Sequence, residues 1–571
     1  MNKTIFQGLL LRVGLCLAPL FFPALCLAEG ISGQVDTSQP VKNRPEMPQY
    51  LPEKPGGGFS LPPAPVLPEA TVGGPAFALA GVAFEGNTVF SNAELQALAQ
   101  PLVGKRVGMA ELEELRYRLT KLYVDAGYIN SGAVIMPGRK VENGVVRYTI
   151  EEGKLNRIDV QGNERLRAAY VQKRLWPDAE RPFNTQELQD NFQLLLQDPL
   201  IERLDGRLRP GASPGEGILD LDVHRALPYG LGFSVDNHRP PSTGSMGGTF
   251  SGWLRNLTGY GDMLDASFGL SEGTDDYGLG FSLPLNAYET RLSLRYSRNS
   301  NSVVEEPLGN LDIKSESRDA ELTLAQPLFR DQRSRLELGL TLANRESKTW
   351  LLGEPFSFSQ GVEDGESRVT VLRFFQSWLD RTPSSALALR STFNFGLNMF
   401  DATIQDGDVP DGRFMAWLGQ AQYAHRLGER FGQIILRGDV QLSNDTLLAL
   451  EQFALGGAGS VRGYRENELV RDNGYVLSAE WRYPLIQRQE AGSQMDILQG
   501  GPFMDFGMAW NNDESAGDNT LHSVGLGLLW TPNKQFSVEL YWAHNIKAAT
   551  VKEEYDLQDD GIHFLLRYNV F

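Results

Sequence analysis

Two short stretches carry the side chains best suited to specific chemistry. Val461-Arg-Gly-Tyr464 follows Gly456, Gly457 and Gly459, so Arg462 stands in backbone able to pack tightly and adopt positive φ angles. Phe503-Met-Asp505-Phe-Gly507 lies in an alternating segment. Met504, Phe506, Met508 and Trp510 share its apolar face, which leaves Phe503, Asp505, Gly507 and Ala509 on the other. A guanidinium and a carboxylate can bond as a two-pronged fork, which adds direction to charge attraction. Arg462 and Asp505 could thus hold a loop in one place without any covalent step. Patterns for covalent chemistry do not survive their surroundings. Gly269-Leu-Ser-Glu-Gly273 has nucleophile-elbow spacing, but it follows the alternating run Met263–Phe268 and leads into Thr274-Asp-Asp276 rather than a helix. Gly457-Ala-Gly-Ser-Val-Arg-Gly463 lacks the lysine and the helix of a phosphate loop. His224, His238, His425, His522, His544 and His563 show no ligand spacing. The sequence predicts no enzyme, no cofactor and no metal.

The elements that must position these residues are strands. From Tyr229 to Phe571 the chain is a series of short segments alternating apolar and polar residues. In Arg291–Ser297, Leu292, Leu294 and Tyr296 share one face, and Arg335–Leu342 repeats the pattern with four leucines. A soluble sandwich alternates locally in the same way. Segments of about ten residues, aromatics near their ends (Trp510, Trp530, Trp542, Tyr568) and a terminal strand ending in Phe571 favour a barrel in lipid. Segments start near Tyr229, Gly247, Met263, Tyr277, Glu289, Ser317, Ser334, Ser367, Ala386, Arg413, Phe431, Gly474, Pro502, His522, Gln535 and Gly561. No stretch after the leader reaches the ~20 apolar residues of a membrane helix, so a membrane protein of this sequence must close its sheet.

Composition agrees. Met1–Ala28 carries Lys3 and Arg12, an apolar run broken by Pro19 and Pro23, and the small-residue end Cys26-Leu-Ala28, which reads as a secretory leader. Both cysteines, Cys16 and Cys26, fall inside it, so the mature chain has no disulfide or thiolate metal site. The net charge of −18, more negative still without Lys3 and Arg12, argues against nucleic acid as a partner.

Residues 29–76 are rich in proline and glycine and read as an extended linker. Beyond it Val82-Ala-Phe-Glu-Gly-Asn87 is echoed by Ile158-Asp-Val-Gln-Gly-Asn163. The first copy continues through a capping box, Ser91 with Glu94, to a helical face of Leu112, Leu115, Leu119 and Leu122 and two strands around Asn143-Gly144. The second has the cap Asn184 with Glu187, then Leu188, Phe192 and Leu195. Two β-α-α-β-β units are expected, at 77–153 and 154–226, before a barrel at 227–571.

These repeats resemble POTRA domains. With Val235-Asp-Asn237, Asn256-Leu-Thr-Gly-Tyr-Gly-Asp262, Leu455–Tyr464 and Gly501–Gly507, the chain from about Ala80 to Phe571 resembles the two-partner secretion transporters, the TpsB family. The resemblance implies an all-β transmembrane barrel of 16 antiparallel strands preceded by two periplasmic α+β POTRA domains. It also implies an outer-membrane pore exporting a large adhesin- or haemolysin-like partner, with the loop at about 443–473 folded into the lumen. Val461, Arg462, Gly463, Tyr464, Phe503, Asp505 and Gly507 are then the structural or gating residues. The other expected partners are outer-membrane lipid and the barrel assembly machinery. A membrane-protein insertase and a passive porin are the alternatives. Family members are commonly plugged by an N-terminal helix, and Glu29–Pro68 departs from that in its prolines.

Overall fold

A computed structural model describes residues 47, 50–51, 58–60, 76–135, 143–407, 409–428, 430–489, 495–513, 519–546 and 554–570. The leader, most of the linker, Asp408 and Phe571 lie outside the described residues.

The alternating segments form one closed antiparallel barrel of sixteen strands, which rules out the sandwich. In chain order they are β1 (Tyr229–Asp236), β2 (Gly247–Arg255), β3 (Met263–Ser271), β4 (Thr274–Pro284), β5 (Arg291–Ser302), β6 (Lys314–Arg330), β7 (Ser334–Leu351) and β8 (Glu366–Arg381). They continue as β9 (Ser385–Leu397), β10 (Met415–Gly428), β11 (Gly432–Ser443), β12 (Asn473–Gln489), β13 (Met495–Trp510), β14 (Thr520–Thr531), β15 (Phe536–Asn545) and β16 (Ile562–Asn569). Large apolar side chains of the outer phase are exposed around the wall, among them Leu231, Phe250, Leu294, Leu477, Met504 and Trp542. The inner phase is polar and buried, as at Asp439, Glu480 and Asp505. Period-2 alternation thus separates a lipid face from a lumen face. No helix among the described residues is long and apolar enough to cross a membrane.

One strand boundary differs from the sequence reading. β13 begins at Met495, seven residues before Pro502. Gly500-Gly501-Pro502 reads as a break, yet the ladder runs through it. The pairing with β14 is unbroken from Gly500↔Leu528 to Pro502↔Leu526, and the register shift of β12 between Pro484 and Ile486 lies further along, opposite Gln499 and Leu498.

β1 and β16 close the wall through five register pairs, Gly232↔Asn569 to Asp236↔Leu565. The side chain of Asn237 continues this ladder. Its amide donates to the Ile562 carbonyl (2.8 Å) and its oxygen accepts from the Phe564 amide (2.8 Å).

The two repeats before the barrel have separate cores. In the first, α1 (Asn92–Ala99) starts at the Ser91–Glu94 capping box. α2 (Met109–Asp125) buries Leu112, Leu115, Leu119 and Tyr123 against a three-stranded sheet in which Val145–Glu151 is central. In the second, α3 (Ala168–Leu175) and α4 (Thr185–Leu195) pack on a sheet whose central strand is Glu216–Arg225. Asn184 caps α4 by accepting from the amides of Gln186 and Glu187. The repeats grip one another through polar side chains. Asn184 donates to the Ala126 carbonyl (3.0 Å), and Asn130 donates to that of Gly215 (2.8 Å).

Candidate functional site

The 29-residue connection between β11 and β12 turns back into the barrel, held by a short antiparallel pair, Phe453–Leu455 with Leu469–Arg471. Its apex carries Val461–Tyr464, all buried. Arg462 meets the wall at β12 and β13. Its Nε and Nη2 donate to the two oxygens of Asp505, each at 2.8 Å, and its backbone amide donates to the same carboxylate at 3.0 Å. Its Nη1 donates to Glu480 at 2.9 Å and its Nη2 to the Ser478 hydroxyl at 3.1 Å. The guanidinium carbon lies 3.5 Å from the Phe503 ring centroid and 4.7 Å from that of Tyr541. A charge 2 % exposed is thus paired, hydrogen-bonded and stacked at once, the conditions under which burying it is tolerated.

The neighbouring positions fit the same docking. Val461 packs with Leu455, Tyr464, Val476 and Ala509. Gly463, at φ +93°, donates its amide to His563 Nε2 (3.1 Å), and a Cβ there would stand 2.8 Å from that of Ala543. Tyr464 donates its hydroxyl to the His522 carbonyl (3.0 Å). A Cβ on Gly507 would stand 2.6 Å from Leu455, so a side chain there would push the loop off the wall. The structure therefore brings all seven residues singled out from the sequence into one contact region.

Sequence reasoning missed several partners. Glu480 and Ser478 lie on the polar phase of β12, where alternation marks them as lumen-facing, but only register places Ser478 opposite Asp505 and Glu480 opposite Phe503. Arg465 clasps Asp559 (2.6 Å) and Glu305 (2.5 Å) in the external connections. Glu451 joins the proximal limb to Arg345 and Arg373 on β7 and β8. No spacing signal announces these pairs. Gly269–Gly273 lies in the β3–β4 hairpin, with no helix after the serine. No group of three or more potential metal ligands occurs among the described residues.

At the periplasmic rim the Asn256–Asp262 turn is one of the joints to the second repeat. Buried Asp262 accepts from the amides of Leu257 and Thr258, which shapes the turn. The Gly259 carbonyl accepts from the Arg167 amide (3.1 Å), and the Arg167 guanidinium stacks 3.8 Å from the Tyr260 ring centroid.

A family model for haemolysin secretion/activation proteins ShlB/FhaC/HecB matches residues 215–529, and one for the ShlB-type POTRA domain matches residues 77–153. The chain belongs to the ShlB/FhaC/HecB family. It is a two-partner secretion transporter of the outer membrane, with POTRA domains on the periplasmic side. The outer membrane transporter CdiB of Dickeya dadantii is 25 % identical over 81 % of each chain. The hemolysin transporter ShlB of Serratia marcescens is 25 % identical over 77 % of this chain and 78 % of its own. The solved structure of CdiB from Escherichia coli superposes with a TM-score of 0.67 at 21 % identity, covering 89 % of this chain and 93 % of that one. BamA from Haemophilus ducreyi, lacking POTRA domains 1–3, shares the fold with a TM-score of 0.51 at 13 % identity. Transporters of this family move partner exoproteins.

Proposed function

We propose that this chain recognises one large, adhesin- or haemolysin-like exoprotein in the periplasm through its POTRA domains and passes it through the barrel without ATP. The observation that carries this reading is the loop locked across the lumen by Arg462, Asp505 and Glu480 behind two POTRA domains. A passive porin has no use for either. The resting barrel is closed, and export requires the loop to give way.

The POTRA sheets offer a means of docking. In the second, Gly58–Ser60 of the linker pairs in parallel with the edge strand Ile201–Pro210, so this edge accepts an extended chain. Just before it, Tyr50 reaches the barrel rim, where its hydroxyl donates to Gln433 (2.8 Å) and its ring lies under Arg426 (4.1 Å). An extended exoprotein segment would add at the same edge in place of the linker, or at the exposed edge of the first POTRA domain. Main-chain hydrogen bonds would give affinity and side-chain pockets selectivity. Folding of the cargo outside would oppose its return. Val461–Tyr464 and Phe503, Asp505 and Gly507 act as the gate in this scheme. The barrel reaches the membrane with the help of the barrel assembly machinery and is solvated by outer-membrane lipid.

Deleting residues 80–223 tests recognition. The expected result is a heat-modifiable, membrane-inserted barrel that exports none of a co-expressed partner exoprotein. Normal export by that deletion would remove POTRA docking from the mechanism. Loss of other outer-membrane proteins, with the exoprotein still exported, would favour the insertase reading.

A further inference from the structure

The loop is pinned to the wall a second time, with three strands, β9 to β11, between this place and the Arg462 contacts. Glu451, 3 % exposed, places Oε1 2.9 Å from Arg345 Nη1 and 2.7 Å from Arg373 Nη2, and Oε2 accepts from Arg373 Nη1 at 2.9 Å. One carboxylate from the loop thus serves two guanidiniums from the adjacent strands β7 and β8. The wall holds both cations independently of the loop. Asp319 accepts from Arg345 Nε (3.0 Å), and Asn394 accepts from Arg373 Nη1 (2.9 Å). Arg345 also donates to the Leu450 carbonyl.

The surroundings match this charge pattern. A cavity of ≈ 630 Å³ beside the seat is lined by Arg291, Arg335 and Arg390 as well as Arg345 and Arg373. Asp319, Glu321 and Glu337 are the carboxylates of the same lining. Arg390 stacks on the Phe375 ring, 4.0 Å from its centroid. Withdrawal of the loop removes Glu451 from this wall and leaves an excess of guanidinium facing the path of the cargo. Removing one partner of a buried ion pair is costly, whereas exchanging one carboxylate for another leaves the pairing intact. An incoming carboxylate therefore lowers the cost of moving the loop.

We infer that Arg345 and Arg373 form a carboxylate-binding seat on the export path, occupied by Glu451 in the closed pore and by an acidic segment of the exported polypeptide when the loop withdraws. The inference rests on the reading of the lumen as the route of export and adds a ligand class to it. Glu451 is a placeholder for the cargo, and selectivity in the lumen favours extended segments bearing Asp or Glu. A segment bearing Lys or Arg meets like charge at the same place.

The test uses the full-length protein in planar lipid bilayers, with hexaglutamate and hexalysine as probes. Glu451→Ala should raise the open fraction on the order of tenfold, as expected for losing a charge-assisted contact. Hexaglutamate on the periplasmic side should block those openings, and hexalysine should not. Adding Arg345→Gln and Arg373→Gln should abolish the block, and Arg373→Gln alone should weaken it if the double variant assembles poorly by heat-modifiable mobility. A wild-type open fraction in Glu451→Ala overturns the inference. So does block by both peptides alike, or block that persists without the arginines. Failure of the export reading shows separately, as a co-expressed exoprotein that the wild-type protein leaves in the periplasm.

Discussion

Arg462 shows how much a single side chain can be asked to do. Lysine in its place would keep the charge but lose the fork on Asp505 and the flat stack on Phe503, so Arg462→Lys is not a conservative change. Arg462→Ala leaves Asp505 and Glu480 buried without that cation, and breaking a buried pair from one side costs roughly 3–5 kcal/mol. Water in the lumen lowers that figure. Arg462→Ala and Asp505→Ala are each expected to reduce export and unsettle channel closure, and the double variant to lose less than the sum of the two. A double-mutant cycle on exported partner, with assembled barrels at normal levels, checks this; simple additivity would show that the residues do not act as a pair. The pairing was legible because the phase of Met504, Phe506 and Met508 turns Asp505 inward, and because the glycines around Arg462 mark a tightly packed loop. Glu480 lay on an equally legible phase, but alternation fixes a face and not a neighbour. Arg345, Arg373 and Glu451 were illegible for the same reason: they meet through register and loop path, which no local pattern encodes.

Among the elements, the first POTRA domain carries a titratable fastening. Glu152 accepts from the amides of Thr88 (2.7 Å) and Val89 (2.8 Å), from the Tyr123 hydroxyl (2.8 Å) and from the Thr88 hydroxyl. Burial by itself would raise its pKa, but these donors hold it below the usual carboxylate value. A carboxyl whose folded pKa is depressed stabilises fully above its unfolded pKa, about 4.5, and loses that contribution as pH falls through the lower folded value. Glu152→Gln should destabilise this domain at pH 7 by roughly 1.5–3 kcal/mol, the range for hydrogen bonds to charged groups. It should also flatten the loss of stability on acidification. Hydrogen exchange at Gly86–Phe90 in the detergent-solubilised protein, measured at pH 7 and pH 4, reads both effects. At the other joint Gly261 sits at φ +85° against the Tyr170 ring, where a side chain has neither room nor a relaxed backbone. Gly261→Ala should loosen the second POTRA domain from the barrel, seen as faster tryptic cleavage near Arg225 without loss of the folded barrel. Element starts were largely legible from alternation and caps. The exception, β13, shows the limit: Gly500-Gly501-Pro502 is a stop signal in isolation, but pairing with β14 carries the strand through it.

For the whole molecule, strand parity fixes sidedness. β1 leaves the periplasm, so the connection between β5 and β6, which contains exposed Asn310, is external, whereas the POTRA domains lie inside. The only cysteines, Cys16 and Cys26, fall in the expected leader, which allows a clean measurement. Asn310→Cys should react with an impermeant maleimide on intact cells, and Lys121→Cys in the first POTRA domain only after the outer membrane is breached. Reaction of Lys121→Cys in intact cells would reverse the orientation. The seam between β1 and β16 bears on how such a wall is made at all. Asn237 and Ile562 are 325 positions apart, and the strand that meets β1 is the last of the wall in chain order. The entropy of closing so long a chain grows only logarithmically, by about 0.6 kcal/mol per doubling. Chain length is therefore a minor obstacle. Until the last strand arrives, however, the sheet has two raw edges, and a row of free amides and carbonyls cannot be left in hydrocarbon. Both edges therefore have to be shielded until they pair with each other, and the two hydrogen bonds of the Asn237 side chain to Ile562 and Phe564 fasten the finished seam.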